Sequence, residues 1–444
     1  MKKVVSLLLA STLVLSLALT GCNKSGGTAS NQPAGTDSSK AANPSKKITL
    51  RVCWWGNQPR NERTQKVMDM YSQKNPNVSF EAEMVAWDGY WDKLATQTAA
   101  NNLPDVIQQD YAYIGQYIEK KLLEDLNPYV KSGLLNTKDI SENVIASGSK
   151  NGGFYAISLG TNSQSILFDP AVFQKAGVPE PKDDWTWEQY EDILAKVTKA
   201  TGIQSEPLYF GNPYIMLEYR ARQEGKTLYN ADGTALGFTD EKIPADLLER
   251  ALKLTKAGIF TKPDALVSVK SIDDNPISKG NAFMTSCWSN QLVAFATAAK
   301  RPLTIIMPPK GGSKPGSYLK PSQFFSVSAK SASKEESVKF VDYFTNDIEA
   351  NKVLLAERGV PVSSKVRDGI KSSVDENTKK TFEFIAVAEK NSTPIDPPEP
   401  PGAAAISKGF KDVYDEVVFE KTSPKDAAVK FMKQANEALA KNKK

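Results

Sequence analysis

From residue 48 to residue 121 the apolar positions switch between a period of two and a period near 3.6. Ile48–Trp55, ITLRVCWW, reads as a strand. Residues 59–74 carry Val67, Met70 and Tyr71 at helical spacing, and Pro76 closes the pattern. Val78–Val85 alternates Val78, Phe80, Ala82 and Met84 against its neighbours, which predicts a half-buried strand. Residues 88–101 put Tyr90, Leu94 and Thr98 on one helical stripe, with Trp91 and Ala95 beside it. A third strand is predicted over 105–109 and a third helix over 114–121. Strands alternating with helices predict an α/β unit whose sheet is parallel with right-handed crossovers.

The strand alternation raises a question about Trp54 and Trp55. Successive side chains point to opposite faces, so an indole pair at a strand end cannot share one core. Trp54 is expected to pack inward and Trp55 to stand at a cleft rim as a stacking platform. In parallel sheets ligands bind beyond the carboxyl ends of the strands. Those ends read Trp55-Gly56-Asn57-Gln58, Ala86-Trp87-Asp88-Gly89 and Gln109-Asp110-Tyr111. Trp55, Asn57, Gln58, Trp87, Asp88, Asp110 and Tyr111 are therefore candidate ligand contacts, each end coupling an aromatic with a planar hydrogen-bonding group. Trp91 reads as packing on the helix that carries it. No glycine-rich phosphate loop follows the first strand, which argues against a nucleotide.

At 444 residues the chain is long for one core, so two lobes are expected. It contains no histidine, which removes the commonest general base and metal ligand. Its 3 cysteines make neither a zinc cage nor a disulfide scaffold. Cys53 and Cys287 sit in apolar runs and read as small buried hydrophobes. The formal charge of +5 is scattered, with no basic stripe for nucleic acid. No cofactor and no metal are expected.

The start of the chain reads as an address. Lys2 and Lys3 precede an apolar run over 4–20, the pattern of a signal peptide. Its end, Leu19-Thr20-Gly21-Cys22, resembles the lipobox of bacterial lipoproteins, which implies lipidation of Cys22 after cleavage. Residues 23–46 are rich in Ser, Gly, Pro, Thr, Lys and Asn, and form a flexible tether with an r.m.s. span of roughly 27 Å. The expected location is the outer face of the cytoplasmic membrane.

Longer segments carry a second resemblance. "LRVCWWGN", "WDGYWDKLATQTAANNLPDVIQQD", "GGFYAISLGTNSQSILFDPAVFQKAGVPEP", "ISKGNAFMTSCWSNQ" and "TNDIEANKVLLAERGVPVSS" resemble the extracellular solute-binding proteins of bacterial ABC importers, the family that includes maltose-binding protein. The resemblance implies the two-lobed periplasmic-binding-protein-like α/β fold with a ligand cleft between the lobes. It implies one lobe over 47–159 and 307–359 and another over 160–306 and 360–444, with hinges near 158–161, Met307 and Pro361. It also adds Asn162, Asn212, Tyr214, Trp288 and Asn290 as ligand contacts, with Asn290 on the same strand face as Trp288. Trp185 and Trp187 read as scaffold around a capping box at Thr186. The proline-rich stretch 392–405 lacks the aromatic that the family contributes to the cleft there, so no malto-oligosaccharide preference is carried over.

The function implied is capture of a carbohydrate, an oligosaccharide above all, by a monomer that delivers it to permease subunits without catalysis. Aromatic candidates outnumber carboxylates, which suits a neutral sugar, while Arg60 leaves room for a uronate. Two alternatives stay open on sequence: a surface glycoside hydrolase built on paired carboxylates, and a sugar sensor or adhesin with no transporter.

Overall fold

The computed structural model describes residues 47–269 and 271–442. The expected signal peptide, tether and lipidated Cys22 lie outside the described residues. Strands β1 (Ile48–Trp55), β2 (Val78–Val85) and β3 (Val106–Gln109) pair in parallel in the order β2-β1-β3. Helices α1 (Gln58–Lys74), α2 (Trp87–Ala99) and α3 (Tyr111–Glu119) follow them in turn. The sheet is completed by Phe324–Val327, antiparallel to β3, and by Ile157–Ser158, antiparallel to Phe324–Val327. The parallel half matches the expectation; the antiparallel half joins chain about to leave this lobe, Ile157–Ser158, to chain that has returned to it, Phe324–Val327.

Both faces of this sheet are covered. Leu50, Val52 and Trp54 pack with Val67, Met68 and Tyr71 of α1. Cys53 packs on the opposite face with Tyr90 and Leu94 of α2. Parallel sheets are buried on two sides, so the strand feeds two cores rather than one.

A second sheet sets Gln164–Phe168 between Met284–Trp288 and Thr304–Ile306, antiparallel to both. The helix Trp187–Thr201 beside it begins with a capping box: Thr186 Oγ1 accepts from Gln189 N at 3.3 Å, and Gln189 Oε1 accepts from Thr186 N at 2.8 Å. Trp185 and Trp187 are buried scaffold, as expected. Cys53 and Cys287 are buried and free in different sheets, their thiols pushed up to about 12 by burial.

The two sheets are joined by chain crossings that touch one another. Thr161–Asn162 pairs antiparallel with Lys320–Pro321, and Thr161 also bridges Val360. A Cβ on Gly160 would lie 2.1 Å from the Arg358 carbonyl, so only glycine permits this approach. The crossing expected near Met307 lies later, at Lys320–Pro321, because residues before it stay on the second lobe. Met307 is held by Trp185 Nε1 and Asp183, and Gly316 O accepts from Arg222 Nε at 3.0 Å. The return to the second lobe is later than residue 360 as well, since Ser364–Ile370 packs on Ile348–Leu354. Helices Ala403–Val418 and Pro424–Leu439 then pack on Lys242–Lys256.

Candidate functional site

Between the two sheets lies a cavity of about 1160 Å³. The first-lobe wall is the N-terminus of α3 and the start of α1. Asp110 caps α3 by accepting from Ala112 N at 2.9 Å, and the adjacent Tyr111 faces the cavity. Arg60 Nε donates to both oxygens of Glu357 at 3.0 Å. The floor is formed by the crossings, with Asn162, Lys320 and Arg358.

The second-lobe wall carries the aromatic surface. Trp288 ends its strand half-buried, with Tyr318 6.0 Å away between ring centroids and Lys320 Nζ 4.7 Å from its ring. Tyr214 lies one helical turn before Glu218 on Pro213–Gln223, and both line the cavity. The fourth side is the proline-rich segment Ile395–Pro400. Arg222 fixes it from one side, bonding Asp396, Thr393 Oγ1 and the Pro394 carbonyl. Tyr111 Oη donates to the Asp396 carbonyl at 2.7 Å from the other lobe. Tyr214 Oη contacts Tyr229 Oη and donates to Glu399 Oε1 at 3.1 Å.

The cavity thus gathers Asp110, Tyr111, Asn162, Tyr214, Trp288 and Asn290 from the sequence-based candidates. Asn290 reaches it differently from expectation: the strand ends at Trp288, and a short 3-10 turn, Ser289–Gln291, carries Asn290. Of the remaining candidates, the structure sets Trp55, Asn57, Gln58, Trp87 and Asn212 elsewhere. Asn57 caps α1 by accepting from Arg60 N, and Gln58 Nε2 donates to Glu62. Asn212 caps Pro213–Gln223 and donates to Ser407 Oγ. The side chain of Asp88 lies outside what the structure describes. Trp55 does not line the cavity; its ring meets Trp87 edge-on at 5.1 Å and Tyr90 at 5.0 Å. The reason is the second core: Trp55 follows Cys53 onto the α2 face, which the one-core argument left bare. Trp87 remains 43% exposed above it, and Trp91 stacks on Tyr113 at 3.9 Å.

Sequence reasoning passed over Glu218, Tyr318, Lys320, Glu357, Arg358, Asp396 and Glu399. One signal was available: Tyr214, Glu218 and Arg222 recur every four residues and so share a helix face. The segment 392–405 also carries two carboxylates, Asp396 and Glu399, which no local pattern marks as facing the cavity.

Electrostatics in the cavity follow burial. The Glu218 carboxyl is pushed up to about 7 by burial, with Arg222 pulling the other way. Arg358 is driven down to about 9 by burial and by the nearby Arg60. Burial also raises the Tyr111 and Tyr214 hydroxyls. Behind the second sheet, Glu206 is 5% exposed and likewise pushed up to about 7 by burial. Its folded value lies above the unfolded one, so between pH 5 and pH 7 the folded state holds a proton that the unfolded state has lost. Stability is therefore expected to fall as pH rises through that window, by roughly 1 kcal/mol or more from this group. Urea titrations at pH 5 and 7 check this, and Glu206→Gln is expected to reduce the difference, the share of Glu218 remaining; an unchanged slope contradicts it.

No group of three His, Cys, Asp or Glu side chains placed to hold a metal ion occurs among the described residues, and no helix there is long and apolar enough to cross a membrane. The arrangement offers aromatic faces interleaved with carboxylates, amides and two guanidinium groups. It suits binding of a polar, ring-shaped solute.

Known proteins share this organisation. A family profile described as bacterial extracellular solute-binding protein matches residues 66–384. The solved structure of an extracellular solute-binding protein of family 1 from Alicyclobacillus acidocaldarius is 32% identical, covers 90% of this chain and 100% of its own, and superposes with a TM-score of 0.84. A periplasmic oligogalacturonide binding protein from Yersinia enterocolitica shares the fold at 19% identity and TM-score 0.74, over 89% of this chain and 100% of its own. So does an ABC substrate-binding protein from Listeria monocytogenes, solved in complex with cycloalternan, at 18% identity and TM-score 0.64 over 89% and 99%. A putative binding protein of Brucella abortus is 22% identical over 204 residues, 44% of this chain and 48% of its own. The chain spans about half the length of the curated relatives it matches.

Proposed function

The chain belongs to the bacterial extracellular solute-binding proteins, and from that premise we propose that it captures a carbohydrate in the cavity between its lobes and delivers it to the permease subunits of an ABC importer. The observation that carries the reading is the wall itself. Trp288 and Tyr111, both half-buried, supply faces for the C–H side of a pyranose, with the buried Tyr318 and Tyr214 behind them, and Asp110, Asn162, Asp396 and Glu399 supply acceptors for its hydroxyls. At about 1160 Å³ the cavity exceeds the roughly 300–1,000 Å³ of ordinary small-molecule pockets, which favours an oligosaccharide over a single ring. The Yersinia and Listeria proteins, whose solutes are oligogalacturonide and cycloalternan, support the same class.

The solute leaves unchanged in this reading, and the protein acts as a monomer. Residues 1–21 serve as a lipoprotein signal, and Cys22 carries the lipid that holds the body at the outer face of the membrane. Three measurements test the proposal together. Deleting the gene is expected to abolish uptake of the sugar that raises the melting temperature most. Chromatography after incubation with oligosaccharides is expected to show no new products; shortened chains would make the protein a hydrolase. Cys22→Ala is expected to release protein or leave uncut precursor, and unchanged retention of a mature protein would contradict the anchor.

A further inference from the structure

Three buried polar atoms on the cavity wall make no hydrogen bond to any described residue: Asn162 Oδ1, Arg358 Nη1 and Asp396 Oδ2. Each belongs to a side chain or segment that is otherwise fixed. Asn162 is paired through its backbone to Lys320. Arg358 Nη2 donates to Thr64 Oγ1 at 2.7 Å, while its Nη1 lies 3.7 Å from Glu357 Oε2. Asp396 Oδ1 accepts from Arg222 Nη1, which leaves Oδ2 free. Buried polar atoms are normally paired, and an unpaired one is costly. Three of them from separate segments, all on residues that line one cavity, point to that cavity as the place where a ligand alters the pairing.

Two of the three are acceptors and one is a donor. Cations around the cavity are already engaged. Arg60 is held by both oxygens of Glu357, Arg222 is held by Asp396, and Lys320 lies over the Trp288 ring. Asp110 and Glu399 also face the cavity, one taking the Ala112 amide and the other the Tyr214 hydroxyl, and neither is in an ion pair with a described residue. A uronate carboxylate would bring further acceptors to a wall where two of the three unpaired atoms are acceptors and where Asp110 and Glu399 stand outside ion pairs. Sugar hydroxyls bring donors.

We infer that the cavity selects an uncharged, hydroxyl-rich oligosaccharide over an acidic one, and that Asp396 is a specificity-determining residue whose partly exposed carboxylate accepts a ligand hydroxyl. The inference rests on the carbohydrate reading and answers the question that Arg60 left open: that guanidinium is spoken for by Glu357. It also gives the proline-rich segment a role. Where the family resemblance expects a stacking aromatic, this chain presents a carboxylate held in place by Arg222.

The test is calorimetric titration of the mature protein, wild type and Asp396→Asn, with maltotriose, cellotriose and xylotriose as neutral probes and trigalacturonate as the acidic one. Wild type is expected to bind at least one neutral probe roughly tenfold or more tighter than trigalacturonate. Asp396→Asn presents an amide donor in place of the free acceptor. It is expected to weaken the neutral probe about tenfold or more and to narrow the neutral-to-acidic ratio. A merely structural role would weaken both classes alike. Trigalacturonate binding as tightly as the neutral probes, or a variant with wild-type affinity and ratio, would overturn the inference. Should the variant fail to fold, the wild-type ratio alone decides. Failure of every carbohydrate to bind would overturn the carbohydrate reading itself, a different result from loss of selectivity.

Discussion

Truncating Trp54 to alanine is expected to lower unfolding free energy by about 3–5 kcal/mol while leaving solute affinity near wild type. The indole is fully buried between β1 and α1, and its Nε1 donates to Asn61 Oδ1 at 2.9 Å. The change therefore opens a cavity and leaves a partly buried amide oxygen without its partner. Trp55→Ala is expected to cost less, roughly 1–3 kcal/mol, because that ring is half-buried and held by edge contacts to Trp87 and Tyr90. Urea unfolding beside calorimetric titration separates stability from affinity for both variants. A Trp55→Ala protein of wild-type stability that has lost affinity would return the second indole to the binding site.

Arg222→Ala is the other large change, with an expected loss of about 3–5 kcal/mol. The side chain is 4% exposed. It donates to the Gly316 carbonyl at 3.0 Å, to Thr393 Oγ1 at 2.6 Å and to the Pro394 carbonyl at 2.8 Å, and it pairs with Asp396. Removing it strands Asp396 and frees the segment that forms one side of the cavity, so affinity is expected to fall with stability. Lysine has a single point charge where the site uses a planar fork, so Arg222→Lys is expected to rescue little of either. Thermal melts with and without ligand check both effects. A loss under about 1 kcal/mol would mean that the segment is held by other contacts.

The first lobe was legible because its signals are local. Strand alternation in Val78–Val85 and the helical stripe of Tyr90 and Leu94 both depend on near neighbours, and β1 and β2 begin and end where the pattern put them. The capping box at Thr186 is likewise contained in four residues. The fate of Trp55 was not legible. Its face is decided by whether a helix covers the far side of the sheet, and that depends on α2 folding back over β1. The crossing at Lys320–Pro321 was misjudged for a similar reason: two-residue strands are recognised only by the partner they meet. The cavity mixes both kinds of information. Trp288, Tyr214 and Asp110 were reachable through strand ends, helix starts and resemblance. Asp396, Glu399 and Arg358 lie in irregular chain, where no period marks which way a side chain turns and only the tertiary fold brings them to the cavity.

The central claim is that a carbohydrate binds between the lobes against Trp288. Trp288 is half-buried at the end of its strand, next to Tyr318 and Lys320, so its truncation should touch the ligand more than the core. The most direct measurement is calorimetric titration of wild type and Trp288→Ala with the oligosaccharide that stabilises wild type most. The account predicts one saturable site in wild type and a loss of about 2 kcal/mol or more in the variant, roughly thirtyfold in affinity, with little change in the ligand-free melting temperature. Equal affinity in the two proteins, or no saturable heat with any oligosaccharide, would contradict it.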